Sequence, residues 1–276
     1  MALIRGAKGD YETVNIERPQ LTALDSMKRT LLLVPTQYEL SMIDPRFLRS
    51  WINSNPQNAD QNLIALCGFG LAVSGARTAH LLATLLPDHV ILMGIAGRFG
   101  SALEIGKAYP FSEVTCYGIG AGAGTHYRTV SELGWKHWDG DEVFDSAVDE
   151  SAISEDAKSA NAVGLRIPIM DQIRLDQYYS HREPNLKLKL LTTAAASNDE
   201  DDVAQKLKKY PDVVAEDMEG FSVAAACQLA SIPLDIVRGI SNQAGDRNHK
   251  NWRVQEAMTS VALMVESILA TCKVVS

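Results

Sequence analysis

The chain has little of what would tie it to an oxidising compartment, a nucleic acid or a membrane. Its 276 residues include only four cysteines, Cys67, Cys116, Cys227 and Cys272. They lie far apart, three of them in apolar segments, so they form neither a metal motif nor a disulfide framework and read as reduced core thiols. The six histidines lack ligand spacing. Basic residues are outnumbered 34 to 26, and the net charge of -8 argues against a nucleic-acid surface. No apolar run reaches the roughly 18 residues that a membrane span needs. The opening stretch MALIRGAKGDYETVNIERPQ lacks the apolar core of a signal peptide, so a cytoplasmic location is expected.

Three catalytic signatures are missing as well. There is no G-x-S-x-G, so a serine-hydrolase elbow has no support. In GFGLAVSG the third glycine comes too late for G-x-G-x-x-G, and no phosphate-loop lysine follows. The glycines that end apolar runs therefore read as close backbone approaches, or as a floor for a small planar ligand at the carboxyl ends of strands.

What is present is apolar: 46% of residues are hydrophobic, enough for a sizeable core. Residues 1–28 are polar and aperiodic and read as an N-terminal extension, with one domain over 29–276. Strands are expected at TLLLVP (30–35), NLIALCGFG (62–70), HVILMGIAG (89–97), LKLKLLTT (186–193), DVVAEDM (212–218) and PLDIVRGIS (233–241). AYPFSEVTCYGIGAGAGTHYR (108–128) starts as a strand and becomes a glycine-rich loop. Between these runs, Ala72, Ala76, Ala79, Ala83 and Leu86 mark one helix face, stopped at Pro87. SAVDESAISEDAKSANA (146–162) reads as a weakly helical surface segment. DEDDVAQKLKKY (199–210) matches the helix dipole with acids first and lysines last. An alanine-rich helix follows DVVAEDM, and Val254, Met258, Val261, Val265, Ile268 and Cys272 mark a closing helix. Continuous apolar strands alternating with helices imply a mostly parallel sheet covered on both faces.

Three polar residues stand just beyond expected strands: Glu39, Glu219 and Asn242. At one edge of a sheet they would form a constellation able to hold a sugar, a water and a leaving group. Glu39 reads equally well as an ordinary first-turn helix residue.

LLLVPTQYEL, GFGLAVSGARTAHLLATLLPDHVILMGIAGRFG, EIGKAYPFSEV and AEDMEGFSVAAACQLASIPLDIVRGISNQAGDRN follow one another as in the purine nucleoside phosphorylase and nucleosidase superfamily, which the chain resembles over most of 30–270. The M-E-G step followed by R-x-I-S-[DN] is the most specific part. YGIGAGAGTHYRTVSELGW and RGISNQAGDRNHKNW look most like the futalosine hydrolase subfamily, nucleosidases of the alternative menaquinone pathway.

The resemblance implies a three-layer α/β fold with a mixed, twisted central sheet flanked by helices, no metal or organic cofactor, a small purine nucleoside substrate and a homo-oligomer. It implies that Glu39 activates water. Met218 and Glu219 hold the ribose, with Glu219 accepting from both hydroxyls. Ser241 and Asn242 work at the base, while Ile95, Ala96 and Gly97 line the sugar–base floor. Ser197 lies near the base edge. Arg128, His126 and Tyr127 are positional candidates for an aromatic carboxylate on the 5′ side of futalosine, with an exposed loop as the equal alternative.

Two departures from the methylthioadenosine nucleosidase pattern bear on the substrate. Asn242 stands in place of aspartate, and its amide can both donate to a 6-oxo group and accept from N7–H. That favours hypoxanthine over adenine by about 1–3 kcal/mol. Asparagine supplies no proton, which leaves water or Asp246. Ala196 replaces a base-stacking phenylalanine.

Leu92 occupies the place of the phosphorylase arginine, so a phosphate dianion has a poor cradle, although Arg98 is close by. A 6-oxopurine phosphorylase, a methylthioadenosine or adenosylhomocysteine nucleosidase, and a nucleoside-binding protein without turnover remain as alternatives.

Overall fold

The computed structural model describes residues 2–5, 11–14, 29–53, 62–140, 168–175 and 187–274. Its centre is a nine-stranded mixed sheet. The strands, in chain order, are β3 (Thr30–Val34), β4 (Leu63–Leu66), β5 (His89–Arg98), β6 (Ala108–Phe111), β7 (Glu113–Tyr117), β10 (Gln172–Arg174), β11 (Lys189–Thr193), β12 (Ala215–Asp217) and β13 (Leu234–Gln243). Spatially they run β10-β7-β11-β12-β5-β13-β6, with β3 on the first half of β5 and β4 beyond it. Pairings β3/β4, β3/β5, β5/β13, β7/β11 and β11/β12 are parallel. Pairings β5/β12, β6/β13 and β7/β10 are antiparallel.

The long strand β5 organises the rest. Val90, Ile91, Leu92 and Met93 are fully buried, so this strand reads as apolar on both sides, as a central strand must. Helices cover both faces. On one face α3 (Gly70–Leu85) and α5 (Gly220–Leu229) pack on Leu31, Leu33, Leu92 and Ile236. On the other, α2 (Pro45–Asn53) and α6 (Val254–Val274) pack on Leu32, Val34, Ile91 and Val237. Successive side chains of β3 and of the first part of β5 go to opposite cores, so both faces are buried.

Shorter elements complete the description. α1 (Gln37–Ser41) follows β3, and α4 (Glu200–Lys209) begins at an Asp199 cap that accepts the Asp202 amide. The glycine-rich loop after β7 holds a small ribbon, β8 (Gly120–Ala121) and β9 (Arg128–Thr129). Within the expected N-terminal extension, β1 (Ala2–Arg5) and β2 (Tyr11–Val14) pair as an antiparallel hairpin, an ordered element not expected there. The segment 146–162 and the Cys272 side chain lie outside what is described; Cys67, Cys116 and Cys227 are buried free thiols.

One face was misassigned from sequence. In α3 the buried residues are Ser74, Thr78, Leu81 and Leu82, while Ala72, Ala76, Ala79 and Ala83 face outward. Alanine has little area to bury, so a stripe of alanines carries a weak periodic signal. The two leucines win the core, and α3 ends at left-handed Leu86, just before Pro87. No described helix is long and apolar enough to cross a membrane.

Candidate active site

A cavity of about 590 Å³ opens at the carboxyl ends of β3, β5, β12 and β13. That is the size of a small-ligand site, and it lies where open α/β sheets bind ligands. Glu39, Ile95, Ala96, Gly97, Met218, Glu219, Ser241 and Asn242 all line it. Residues separated by up to two hundred positions are thus brought to one wall.

Glu39 is delivered by α1. Thr36 caps that helix: its hydroxyl accepts the Glu39 amide at 3.2 Å and donates to Glu39 Oε2 at 2.6 Å. The other oxygen, Oε1, accepts the Ile95 amide from β5 at 3.0 Å. The carboxylate is buried, with 5% of the residue exposed, and is held by two donors, one on each oxygen.

Glu219 occupies the N-cap position of α5 but makes no capping hydrogen bond. The helix N-terminus is therefore not its main partner. Oε1 accepts the Gly70 amide at 3.1 Å, and Oε2 lies 3.5 Å from Nη2 of Arg238. Gly70 has a φ of +76°, a conformation that suits glycine and presents its N–H to the carboxylate. Burial pushes the Glu219 carboxyl up to about 7; Arg238 opposes the rise and Asp217 adds to it.

Arg238, on β13, is the residue the sequence reading missed. It is wholly buried. Its Nε donates to Asp217 at 3.0 Å, and Asp217 also accepts Thr192 Oγ1 at 2.6 Å and the Gly220 amide at 2.9 Å. Burial works against the charge on this guanidinium, but Asp217, Glu219 and Glu39 together outweigh it and raise the pKa above its ordinary value. Nη1 has no hydrogen-bond partner among the described residues. It lies beside Gly94, as does Glu39 Oε1: a Cβ on Gly94 would overlap Nη1 and sit 2.8 Å from Oε1. An arginine in the middle of the apolar run PLDIVRGIS was the available signal, because a buried charge demands a partner.

Glu216 and Asp217, beside Glu219 in the sequence, are both engaged in buried ion pairs. Asp217 does cap Gly220, but its main role is to pair Arg238. Glu216 accepts the Ser197 amide and hydroxyl, each at 2.8 Å, and Lys206 Nζ at 2.7 Å. Lys206 also donates to Ala195 O at 2.9 Å. This buried pair fastens the loop 195–197 to β12. Ser197 is thereby turned into the clamp and does not line the cavity; Ala196 does. The backbone N–H and C=O of Ala196 have no partner among the described residues, so this loop offers one donor and one acceptor.

At the opposite wall, Ser241 Oγ lies 2.7 Å from Asn242 Oδ1 and 3.3 Å from Ala96 O. Asn242 Nδ2 donates to Gln243 O at 2.8 Å and, at a long 3.4 Å, to Asp246 O. The amide is thus fixed with an Oδ1 lone pair to spare. Only the long bond has to be given up for it to donate to a ligand, so the donor role is narrower than expected. Asp246 is no proton source: hydrogen bonds from Asn251 and the Asn248 amide lower its pKa and keep it ionised. Arg98 is spent on Gln243 and Leu103 O.

Arg128 is not at the cavity. Its guanidinium donates to Glu132 O on the exposed loop. His126 is exposed away from it, and the Tyr127 hydroxyl braces the backbone at Gly118 and Ile119. Instead the cavity takes Tyr38, Phe69, Arg247, His249 and Trp252, none of them singled out beforehand. The cluster of cation and aromatic residues in DRNHKNW was the signal.

Residues 169–273 match the family model described as the phosphorylase superfamily. Among curated proteins, the 5′-methylthioadenosine/S-adenosylhomocysteine nucleosidase of Chromohalobacter salexigens is 24% identical over 210 residues, 75% of this chain and 78% of that protein. The futalosine hydrolase of Streptomyces coelicolor is 25% identical over 174 residues, 63% of this chain and 62% of its own. Among solved structures, the methylthioadenosine/adenosylhomocysteine nucleosidase of Neisseria meningitidis superposes with a TM-score of 0.57 at 16% identity, covering 87% of this chain and 98% of that one. The futalosine hydrolase of Helicobacter pylori gives 0.57 at 14% identity, covering 89% and 98%. Those likenesses establish a shared fold, a mixed sheet flanked by helices. The sequence match to the phosphorylase superfamily covers the C-terminal part of the chain.

Proposed function

We propose that the protein is a nucleosidase that hydrolyses the N-glycosidic bond of futalosine, releasing hypoxanthine and dehypoxanthine futalosine. The observation that carries this reading is the convergence of Glu39, Glu219 and Asn242, from three separate elements, on one cavity. The relatives named above support the coarser part, cleavage of a purine nucleoside.

In this mechanism Glu39 takes a proton from water as the water oxygen attacks the anomeric carbon. The bond from that carbon to N9 breaks through an oxocarbenium-like transition state, and its electron pair leaves with the purine. Asn242 Oδ1 accepts from the protonated N7 of the departing base, whose proton comes from solvent. Glu219 accepts from the ribose hydroxyls, with Met218 against the sugar. Ala196 C=O is an acceptor for the N1–H of hypoxanthine.

Water is favoured over phosphate because the cations near the anomeric side are already committed. Arg238 is paired with Asp217 and Arg98 with Gln243, while Leu92 is buried in the core. A dianion there would lack a bidentate partner.

The test is base release from futalosine, aminodeoxyfutalosine, inosine and methylthioadenosine, each with and without phosphate. Hypoxanthine from futalosine without phosphate is expected. Adenine release from methylthioadenosine as the fastest reaction would move the substrate assignment. Release only with phosphate would make the protein a phosphorylase, and ligand binding without any release would make it a binding protein.

A further inference from the structure

We infer that Thr36 is a positioning residue for the hydrolysis: its hydroxyl turns the Glu39 carboxylate out of a helix cap and into the cavity. The inference rests on the nucleosidase reading above. A T-x-x-E sequence at the start of a helical turn ordinarily closes on itself. The hydroxyl accepts the amide of the glutamate, and the glutamate carboxylate reaches back to the threonine amide. This chain contains that closed arrangement elsewhere. The Thr129 hydroxyl accepts the Glu132 amide at 3.2 Å, and the Thr129 amide donates to Glu132 Oε2 at 2.9 Å.

Thr36 and Glu39 have the same spacing but only half of that geometry. The Thr36 hydroxyl accepts the Glu39 amide at 3.2 Å. The carboxylate does not return to the Thr36 amide, which has no partner among the described residues. Instead Oε2 accepts the Thr36 hydroxyl at 2.6 Å, and Oε1 accepts the Ile95 amide at 3.0 Å. One hydroxyl oxygen therefore caps α1 and holds the carboxylate that α1 carries. Two features of the sheet permit this open form. β3 runs beside β5 only as far as the Leu33–Leu92 pair, and beyond it the Ile95 amide is left to Glu39. Gly94 has no side chain, and a Cβ there would lie 2.8 Å from Oε1.

The two pairs also differ in their surroundings. The Glu132 side chain is 45% exposed and bonded to Lys209, on a loop away from the cavity. Glu39 is buried, and both Thr36 and Glu39 line the cavity. A hydroxyl carries a single proton, so its bond to Oε2 fixes the Thr36 rotamer and the carboxylate together. Without that hydroxyl Oε2 has no donor, and the closed box becomes the competing arrangement. The carboxylate would then be drawn back over the start of α1 and away from the attacking water. Because Thr36 acts through Glu39, its loss falls on kcat; the contacts assigned to Met218, Glu219 and Asn242 are unchanged.

The test compares Thr36→Val, which removes the hydroxyl at nearly constant shape, with Thr36→Ser, which keeps it. Base release is followed with whichever of the four nucleosides above the parent chain cleaves fastest, so the identity of the base does not enter. Thr36→Val should lower kcat about ten- to a hundredfold with KM within about twofold. Thr36→Ser should recover most of that loss. In the full chain already carrying Glu39→Gln, adding Thr36→Val should change the residual single-turnover rate by less than about twofold. Thr36→Val also weakens the cap, so kinetics are read well below the melting temperature of each variant. A parental kcat in Thr36→Val, a loss carried by KM, no recovery in Thr36→Ser, or an equal loss with and without Glu39 overturns the inference and leaves the nucleosidase reading standing. Release of base from none of the four by the parent chain overturns both.

Discussion

Glu39 and Ile95, 56 residues apart, are joined by a 3.0 Å hydrogen bond from the Ile95 amide to Glu39 Oε1. The bond sets a carboxylate from α1 against the point where β5 turns into the small-residue floor Ala96–Gly97. Because Thr36 occupies the other oxygen at 2.6 Å, the side chain has almost no rotational freedom. In the proposed mechanism, a base held in this way has already lost the entropy that a mobile one would lose on reaction.

Replacing Glu39 by Gln keeps the shape and both hydrogen-bonded contacts but removes the base. The expected result is a fall in kcat of about 10²–10⁴ with a small change in KM. Steady-state hypoxanthine release checks this. A variant with near-normal kcat would take Glu39 out of the chemistry.

Gly94 leaves the space in which the Glu39 carboxylate and Arg238 sit. A methyl group there would overlap Arg238 Nη1 and crowd Glu39 Oε1 at 2.8 Å, with Pro35 Cδ at 3.1 Å. Gly94→Ala should lower kcat/KM by about a hundredfold or more through displacement of those two groups. It should also lower the melting temperature. Normal kinetics in this variant would show that the pair has room to move and does not need its present geometry.

The pH dependence should come from Glu219. Burial raises its carboxyl to about 7, so below that pH the group is protonated and has lost acceptor capacity for the ribose. The sign is that kcat/KM rises as pH increases through about 7. In Glu219→Gln this step should vanish and KM should rise. A profile whose step near 7 persists in Glu219→Gln would assign it to another group.

The Lys206–Glu216 pair predicts a stability effect coupled to base binding. Both side chains are only 5% exposed. Lys206→Met leaves a buried carboxylate without its cation, an expected loss of about 3–5 kcal/mol. Adding Glu216→Gln should restore part of it. Urea denaturation measures the loss, and product inhibition by hypoxanthine reports whether loop 195–197 has moved. An unchanged denaturation midpoint would contradict the clamp.

The strands were legible because β3, β5 and β13 bury both sides and leave continuous apolar runs; TLLLV and HVILM need no partner information to be read. A helical turn at Glu39 stood only as an even alternative, and α1 and α2 were not expected as elements; the T-x-x-E of Thr36 and Glu39 was the unused signal for α1. The approach of Glu39, Glu219 and Asn242 came from their places near the carboxyl ends of strands, although Asn242 lies within β13, which runs on to Gln243, and not beyond it. Ser197 and Arg128 were misplaced because position in a loop says nothing about which way a side chain turns. Ser197 turns to Glu216 and Arg128 to Glu132. The outward alanines of α3 show the limit of periodicity when small residues carry it. Arg238 carried a signal, a charge inside an apolar run, but its partners Asp217 and Glu219 are seen only in space.

The most direct test of the central claim is the fate of the oxygen. Futalosine is turned over without phosphate in water enriched in oxygen-18, and the products are weighed by mass spectrometry. The account predicts rapid hypoxanthine release, label on the anomeric hydroxyl of dehypoxanthine futalosine and none in hypoxanthine. No turnover until phosphate is added, with a sugar 1-phosphate as product, would contradict it.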